Sequence, residues 1–267
     1  MKPLSQNTNS LLHRVGETLR PAAQPVRPAV LRLTTGAFTI WNNMRRRSMF
    51  HKLNRQDASQ FDPVGPVRVL RRPLPPRVAN ALYDADPNRV SAVLKAVLLD
   101  GLNPLDTKTE HGPAVLVAGY EYGAAPAALR RELVGMASDR LPLERGSVQR
   151  LASYRLPKIS ADEVRWMLHR VGLTAQIVAH PKGVKALLKN DGETWSRSDV
   201  ARLKIARALL GNPSLVVLEN IDAALDEQGL IMLRKLLDEY PGTVLFSSLV
   251  PQRLFAESEM RRWPLDG

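Results

Sequence analysis

The 267-residue chain contains no cysteine. That excludes disulfides, thiolate metal sites and cysteine nucleophiles. Histidine is scarce. The five stand at positions 13, 51, 111, 169 and 180, and no two have the H-x-x-x-H spacing of a zinc site. No apolar run approaches the ~18 residues that a membrane-spanning helix needs. Residues 1–10 are polar and lack the apolar stretch of a secretory signal. These absences predict a reducing, intracellular setting. Acids are scarce in one region only. Residues 1–72 hold 13 Lys or Arg against three acids, Glu17, Asp57 and Asp62, whereas the remainder holds 25 basic and 23 acidic residues. Most of the net charge of +12 therefore belongs to an N-terminal arm. A basic arm is implied, and a nucleic-acid surface over the whole body is not.

Apolar residues make up 44% of the chain, enough for a core at this length. Residues 1–28 are polar and end in Pro21, Pro25 and Pro28. From Val30 to Met44 a helical stripe runs through Leu33, Ala37, Ile40 and Trp41, and Arg45-Arg46-Arg47 follows. That pattern suits a membrane surface or a partner's groove, and equally a helix packed on the chain's own body. An Arg-rich, acid-poor arm also fits an organelle transit peptide. Residues 63–77 are Pro-rich and read as a linker with a short strand at 67–70. Val90, Val93, Leu94, Val97 and Leu98 give a helix over 87–102.

From residue 112 short apolar runs alternate with helical stripes. Ala114–Ala118 has strand length. Pro126 stands where a helix can begin, with Leu129, Leu133 and Met136 on its face. Ser160 and Glu163 form a capping box for a helix over 160–171. A helix over 199–210, a strand at 214–218, a helix over 228–239 and a strand at 243–246 follow. This alternation predicts a parallel α/β sheet.

The run 181–226 is the most specific. Pro181, Gly183 and Gly192 precede Trp195-Ser196-Arg197-Ser198-Asp199. Arg202-Leu203 and Ile205-Ala206-Arg207-Ala208-Leu209-Leu210 come next. Pro213 leads into Leu215–Leu218, and Ala223-Ala224-Leu225-Asp226 closes the run. This resembles the nucleotide-binding domain of exporter-type ABC transporters, whose run is L-P-x-G, L-S-G-G-Q, R-L-A-I-A-R-A-L-L, an apolar strand, D-E and S-A-L-D. Upstream, Val115–Gly119 is similar to the strand entering the phosphate loop, and Gly146-Ser147-Val148 to the return strand. The likeness spans about 112–255.

The resemblance implies a P-loop NTPase-like parallel sheet with a small helical subdomain, occupying residues 105–267. Ahead of it stand a basic extension (1–62) and a linker with a helical segment (63–104). It implies ATP and Mg²⁺ as cofactors, and other transporter chains, membrane or nucleotide-binding, as partners in a homo- or heterodimer. It places nucleotide contacts at Gly119, Gly123, Ala124, Ala125, Pro126, Ala127, Ser196, Arg197 and Asp226, and Mg²⁺ at Glu219. The chemistry is depleted at each. Ala125 stands at the phosphate-loop Lys position and Pro126 at the Mg²⁺ hydroxyl position, while Glu121 adds negative charge. Each lost charge-assisted hydrogen bond costs roughly 1.5–3 kcal/mol, so three move a micromolar site toward millimolar. Arg197 and Ser198 replace two glycines; Arg197 either offers charge to a phosphate or faces solvent. Glu219 is either a residual Mg²⁺ ligand or a plain strand-end carboxylate. Asn220 takes the place of the carboxylate base, and an amide cannot be one. Leu249 falls near the switch-His position. No Gln after the return strand is evident beyond a remote Gln149.

The expectation is thus an ABC-type subunit that binds ATP and Mg²⁺ weakly and hydrolyses slowly or not at all. It would be cytoplasmic and peripheral to a membrane through residues 30–50. The alternative is a nucleotide-free module whose basic arm holds an acidic partner, anionic lipid or nucleic acid.

Overall fold

A computed structural model describes residues 67–264 apart from 70–71, 84–85, 96–97, 99–114, 190–191 and 193, all within the unit Arg46–Gly267. The expectations for the extension 1–62, including the 30–50 stripe, lie outside the described residues.

The order is β1 (Val67–Val69), β2 (Arg72–Leu74), β3 (Ala79–Tyr83), α1 (Pro87–Lys95), β4 (Val115–Val117), β5 (Tyr120–Glu121), α2 (Ala127–Leu133) and β6 (Val134–Ser138). Then follow β7 (Gly146–Ser147), α3 (Val148–Ser153), α4 (Ala161–Arg170), α5 (Thr174–Ala179), β8 (Leu187–Leu188) and α6 (Arg197–Leu209). The chain continues with β9 (Leu215–Glu219), α7 (Glu227–Asp238), β10 (Thr243–Ser247) and β11 (Met260–Pro264). The central sheet has five strands in the order β11-β3-β10-β9-β6, and every neighbouring pair is parallel. An antiparallel sheet, β2-β1-β4-β5, and a two-stranded pair, β7-β8, complete the strands described. This is the α/β architecture that the alternation predicts, consistent with a P-loop NTPase-like fold.

Strand geometry explains how the core divides. Successive side chains point to opposite faces. On β9, Val216 and Leu218 pack into one buried cluster with Leu151, Leu168, Leu203 and Leu233, so α3, α4, α6 and α7 cover that face. Leu215 and Val217 join the other cluster with Val93 and Leu94 of α1, Leu129 and Leu133 of α2, and Val67 and Val115 of the antiparallel sheet. β9 is buried at all five positions, which is why it reads as an unbroken apolar run.

Several expectations are corrected. The stretch expected as a linker with a helical segment does hold a helix, but its described residues belong to the body: β3 lies inside the parallel sheet between β10 and β11 and α1 covers one face. The body therefore does not begin at 105. β3 hides in the sequence because it reads Ala-Asn-Ala-Leu-Tyr. Its Asn80 is fully buried and donates to the carbonyls of Pro75, Val78 and Val244. Met136 does not extend a helix: α2 stops at Leu133 and Met136 lies in β6. β6 needs small residues because α6 crosses directly over it. A Cβ on Gly135 would lie 1.9 Å from the Ala208 carbonyl oxygen. Val148 starts α3 rather than ending a strand, and Gln149 sits on that helix.

Candidate functional site

The phosphate-loop expectation is the largest correction. β4 pairs antiparallel with both β1 and β5. Its carboxyl end therefore turns back through Ala118 and Gly119, at φ 52° and 83°, as a hairpin. Gly119 lies in that turn. Gly123 and Ala124 follow in a further turn, Ala125 is buried on the antiparallel-sheet side of the core, and Pro126 precedes the seven-residue α2 that Ala127 begins. A phosphate loop joins a parallel strand to a helix, and this segment does not.

The strand–helix junction that meets that description is β3 to α1. It reads Asp84-Ala85-Asp86-Pro87-Asn88, with two carboxylates and no glycine. Asp86 Oδ1 accepts from the Asn88 amide at 2.9 Å. The Asp86 carbonyl accepts from the amides of Arg89 and Val90 at 3.0 and 3.4 Å. Arg140, two residues beyond β6, donates to Asn88 Oδ1 at 3.2 Å. The sequence did carry a signal for this cap: Asp followed by Pro at the first helical position.

In a parallel α/β sheet, ligands sit beyond the carboxyl ends of the strands. There β6, β9 and β10 place Ser138, Glu219 and Ser247 side by side in register. Glu219 is only 5% exposed, and its Oε2 accepts from Ser138 Oγ at 2.6 Å. The Asp139 amide donates to the Glu219 carbonyl, and the Asn220 amide to the Ser247 carbonyl. Asn220 itself is in the left-handed region at φ 48°, which Asn tolerates well. Nothing in the sequence marks Ser138 as the partner of Glu219.

The amino end of α6 carries the other predicted contacts, and each is spent within the chain. Ser196 caps the helix by accepting from the Asp199 amide at 3.0 Å, and its hydroxyl donates to Asp199 Oδ2 at 2.7 Å. Arg197 faces solvent over 66% of its side chain and donates to Asp139 Oδ2 at 2.6 Å. Lys204, only 5% exposed, donates to the Asp139 carbonyl at 3.2 Å. Asp139, in the loop after β6, is thus bound to α6 through both its side chain and its carbonyl. Asp226 caps α7 through the Gly229 amide at 2.7 Å and pairs with Arg202 at 2.7 Å. The Arg202 hydrogen bond, then the Gly229 amide, hold its carboxyl below the usual carboxylate range. Nearby, Asp222 accepts from Ser248 Oγ at 2.7 Å, and burial pushes its carboxyl up. Leu249 and Val250 are exposed beside it. A hollow of about 430 Å³ lies at the opposite, amino end of β3 and β10, and includes none of the predicted residues.

These groups do not fit a Mg²⁺–triphosphate. Among the described residues no three His, Asp or Glu converge to hold a metal. The one carboxylate expected to serve Mg²⁺ is buried against a hydroxyl. The α1 amides that would face a phosphate are satisfied by Asp86.

No family model matches the chain. Curated relatives do, over part of its length. "ABC transporter B family member 4" of Dictyostelium discoideum is 26% identical over 124 residues, 46% of this chain and 16% of that protein. "Cyclolysin secretion/processing ATP-binding protein CyaB" of Bordetella pertussis is 28% identical over 143 residues, 53% of this chain and 20% of that protein. "Glutathione/L-cysteine transport system ATP-binding/permease protein CydC" of Haemophilus influenzae is 35% identical over 71 residues, 27% and 12%. The chain thus spans a fifth or less of the length of these relatives. Identity is modest and coverage partial, and all three are ABC transporter proteins. With the parallel sheet, they support an ABC-transporter-related domain. Among the described residues no helix is long and apolar enough to cross a membrane.

Proposed function

We propose that the chain is an ABC-transporter-related subunit that associates with other transporter chains and does not hydrolyse ATP. The observation that carries this reading is the end of β9, where Glu219 is buried against Ser138 and Asn220 follows. Without a carboxylate after Glu219, no general base is placed to activate water. Ser196 and Asp226 are engaged as helix caps, and Arg197 and Asp226 in ion pairs within the chain. The subunit acts by contact, on the cytoplasmic side of a membrane, with the basic 30–50 segment contributing to the attachment.

The test is steady-state phosphate release from MgATP by the purified full chain, with Asn220→Ala as the control. Release at background for both is expected. Turnover that the control abolishes overturns the reading. Its second half is tested by tagging the chain in its native cell. Recovery of identified ABC transporter subunits is expected, and recovery of none overturns it. The internal closure of the α6 amino end specifically favours the second reading, a nucleotide-free module held by its basic arm. Salt-sensitive binding to anionic vesicles that is lost on deleting residues 1–60 would mark that module.

A further inference from the structure

We infer that the hollow at the amino ends of β3 and β10 is a binding site for a small organic anion, a carboxylate carried on an apolar body. The hollow measures about 430 Å³, inside the range of roughly 300–1,000 Å³ typical of small-molecule sites. Leu237, Tyr240, Val244 and Phe255 give it an apolar lining, joined by Val78, a large apolar side chain left 36% exposed. Tyr240 spends its hydroxyl on the Pro213 carbonyl and so offers the hollow a ring. Arg234 and Arg77 also line it, and they differ. Arg234 lies over the Phe255 ring at 5.2 Å, and donates to Asp238 at 3.0 Å, to the Leu254 carbonyl at 2.8 Å and through two nitrogens to Glu259. It is spent, and it neutralises the carboxylates of the lining. Arg77 is the charge left over. Its side chain is exposed and makes no hydrogen bond or ion pair among the described residues. The backbone holds it in place. Arg77 follows Pro75-Pro76 in a turn at φ 59°, and its amide donates to the Gly242 carbonyl at 3.3 Å. Glycine is the default for that conformation. An arginine kept there against its backbone preference, with its guanidinium unspent beside an apolar hollow, points to a ligand. A planar guanidinium pairs with a carboxylate through two parallel hydrogen bonds. The apolar lining takes the rest of the molecule out of water.

The hollow lies at the opposite end of the sheet from Glu219, so the site is independent of whether the chain hydrolyses ATP. The test is a fluorescence titration of the full chain with an apolar anion, the dye anilinonaphthalene sulfonate, comparing wild type, Arg77→Gly and Arg77→Lys. Glycine suits the turn, so Arg77→Gly removes the guanidinium and keeps the fold, with a melting temperature no lower than that of wild type. Wild type should bind the dye saturably. Arg77→Gly should bind it at least tenfold more weakly, a loss of about 1.4 kcal/mol. Arg77→Lys keeps the charge but loses the planar fork, and should fall between the two. Octanoate should displace the dye from wild type at a lower concentration than octanol, which has the same chain and no charge. Absence of saturable binding by wild type overturns the inference. So does a saturable component that folded Arg77→Gly leaves at full strength, and so does equal displacement by octanoate and octanol.

Discussion

The α6–β9 region and the strand β3 are both buried and carry very different sequence signals. The α6–β9 region is built from large apolar side chains at regular spacing, with Leu203, Ile205, Leu215 and Val217 all fully buried. Strand β3 is buried too, yet it opens on Ala79-Asn80-Ala81, two small residues and one amide, before Leu82. Side-chain volume fills the first. Close backbone approach and hydrogen bonding to carbonyls fill the second. Periodic patterns report side-chain volume, so only the first kind of packing announces itself.

The sharpest way to break that comparison is to treat both regions as core and measure them alike. Leu94 on α1 is 1% exposed. Leu94→Ala should cost about 3 kcal/mol, the same order as Ile205→Ala on α6. A urea melt reads both. A loss below about 0.5 kcal/mol, as for a surface position, would return residues 63–104 to a linker. Next in size is Gly135→Ala. Its added Cβ meets backbone rather than a mobile side chain, so α6 must move off β6. A loss of roughly 2 kcal/mol is expected in the same melt. An unchanged midpoint would mean that α6 does not cross β6 as described.

A smaller effect separates charge from capping at the end of the signature-like run. Asp226→Asn keeps an acceptor for the Gly229 amide and a good helix cap, but loses the ion pair with Arg202. The Asp226 carboxyl is depressed by that pair. Its contribution is therefore present above the ordinary carboxylate range and lost as pH falls through the lower folded value. The carboxylate is more than half exposed, so solvent screening keeps the neutral-pH loss within about 1 kcal/mol. Wild type and variant melting curves should converge in strong acid. A difference that persists there would assign the loss to the cap instead.

Legibility followed the same division. The helices α4, α6 and α7 and the strands β9 and β10 stand within a few residues of their expected places. Their stripes, caps and apolar runs are side-chain signals, and Ser160 with Glu163 forms the expected capping box. In the sequence β6 reads as part of the preceding helix because Leu129, Leu133 and Met136 have helical spacing. No local cue says that Gly135 is there to let α6 approach. The phosphate-loop expectation failed for a topological reason. A short apolar run followed by glycines looks the same whether its neighbours are parallel or antiparallel, and pairing is decided far away, at Val69 and Arg68. The pairing of Ser138 with Glu219 joins residues 81 apart in the chain and had no local trace.

The hairpin between β4 and β5 offers the smallest test, and its sign is informative. Ala118 has φ 52°, a left-handed conformation that an L residue with a Cβ adopts at a cost. Gly119 beside it has φ 83° and nothing within 4 Å of where a Cβ would stand, so crowding is not what fixes this turn. At Ala118 the relief that glycine would bring is offset by losing a methyl that is 2% exposed, so Gly119 is the informative position. Gly119→Ala should lower stability by about 0.5 kcal/mol, the left-handed cost less what the stiffer unfolded chain returns. The opposite sign is expected if residue 119 sits in an extended segment feeding a phosphate loop, where alanine strengthens what glycine weakens. A loss in the melting midpoint thus sustains the hairpin, and a gain restores the strand.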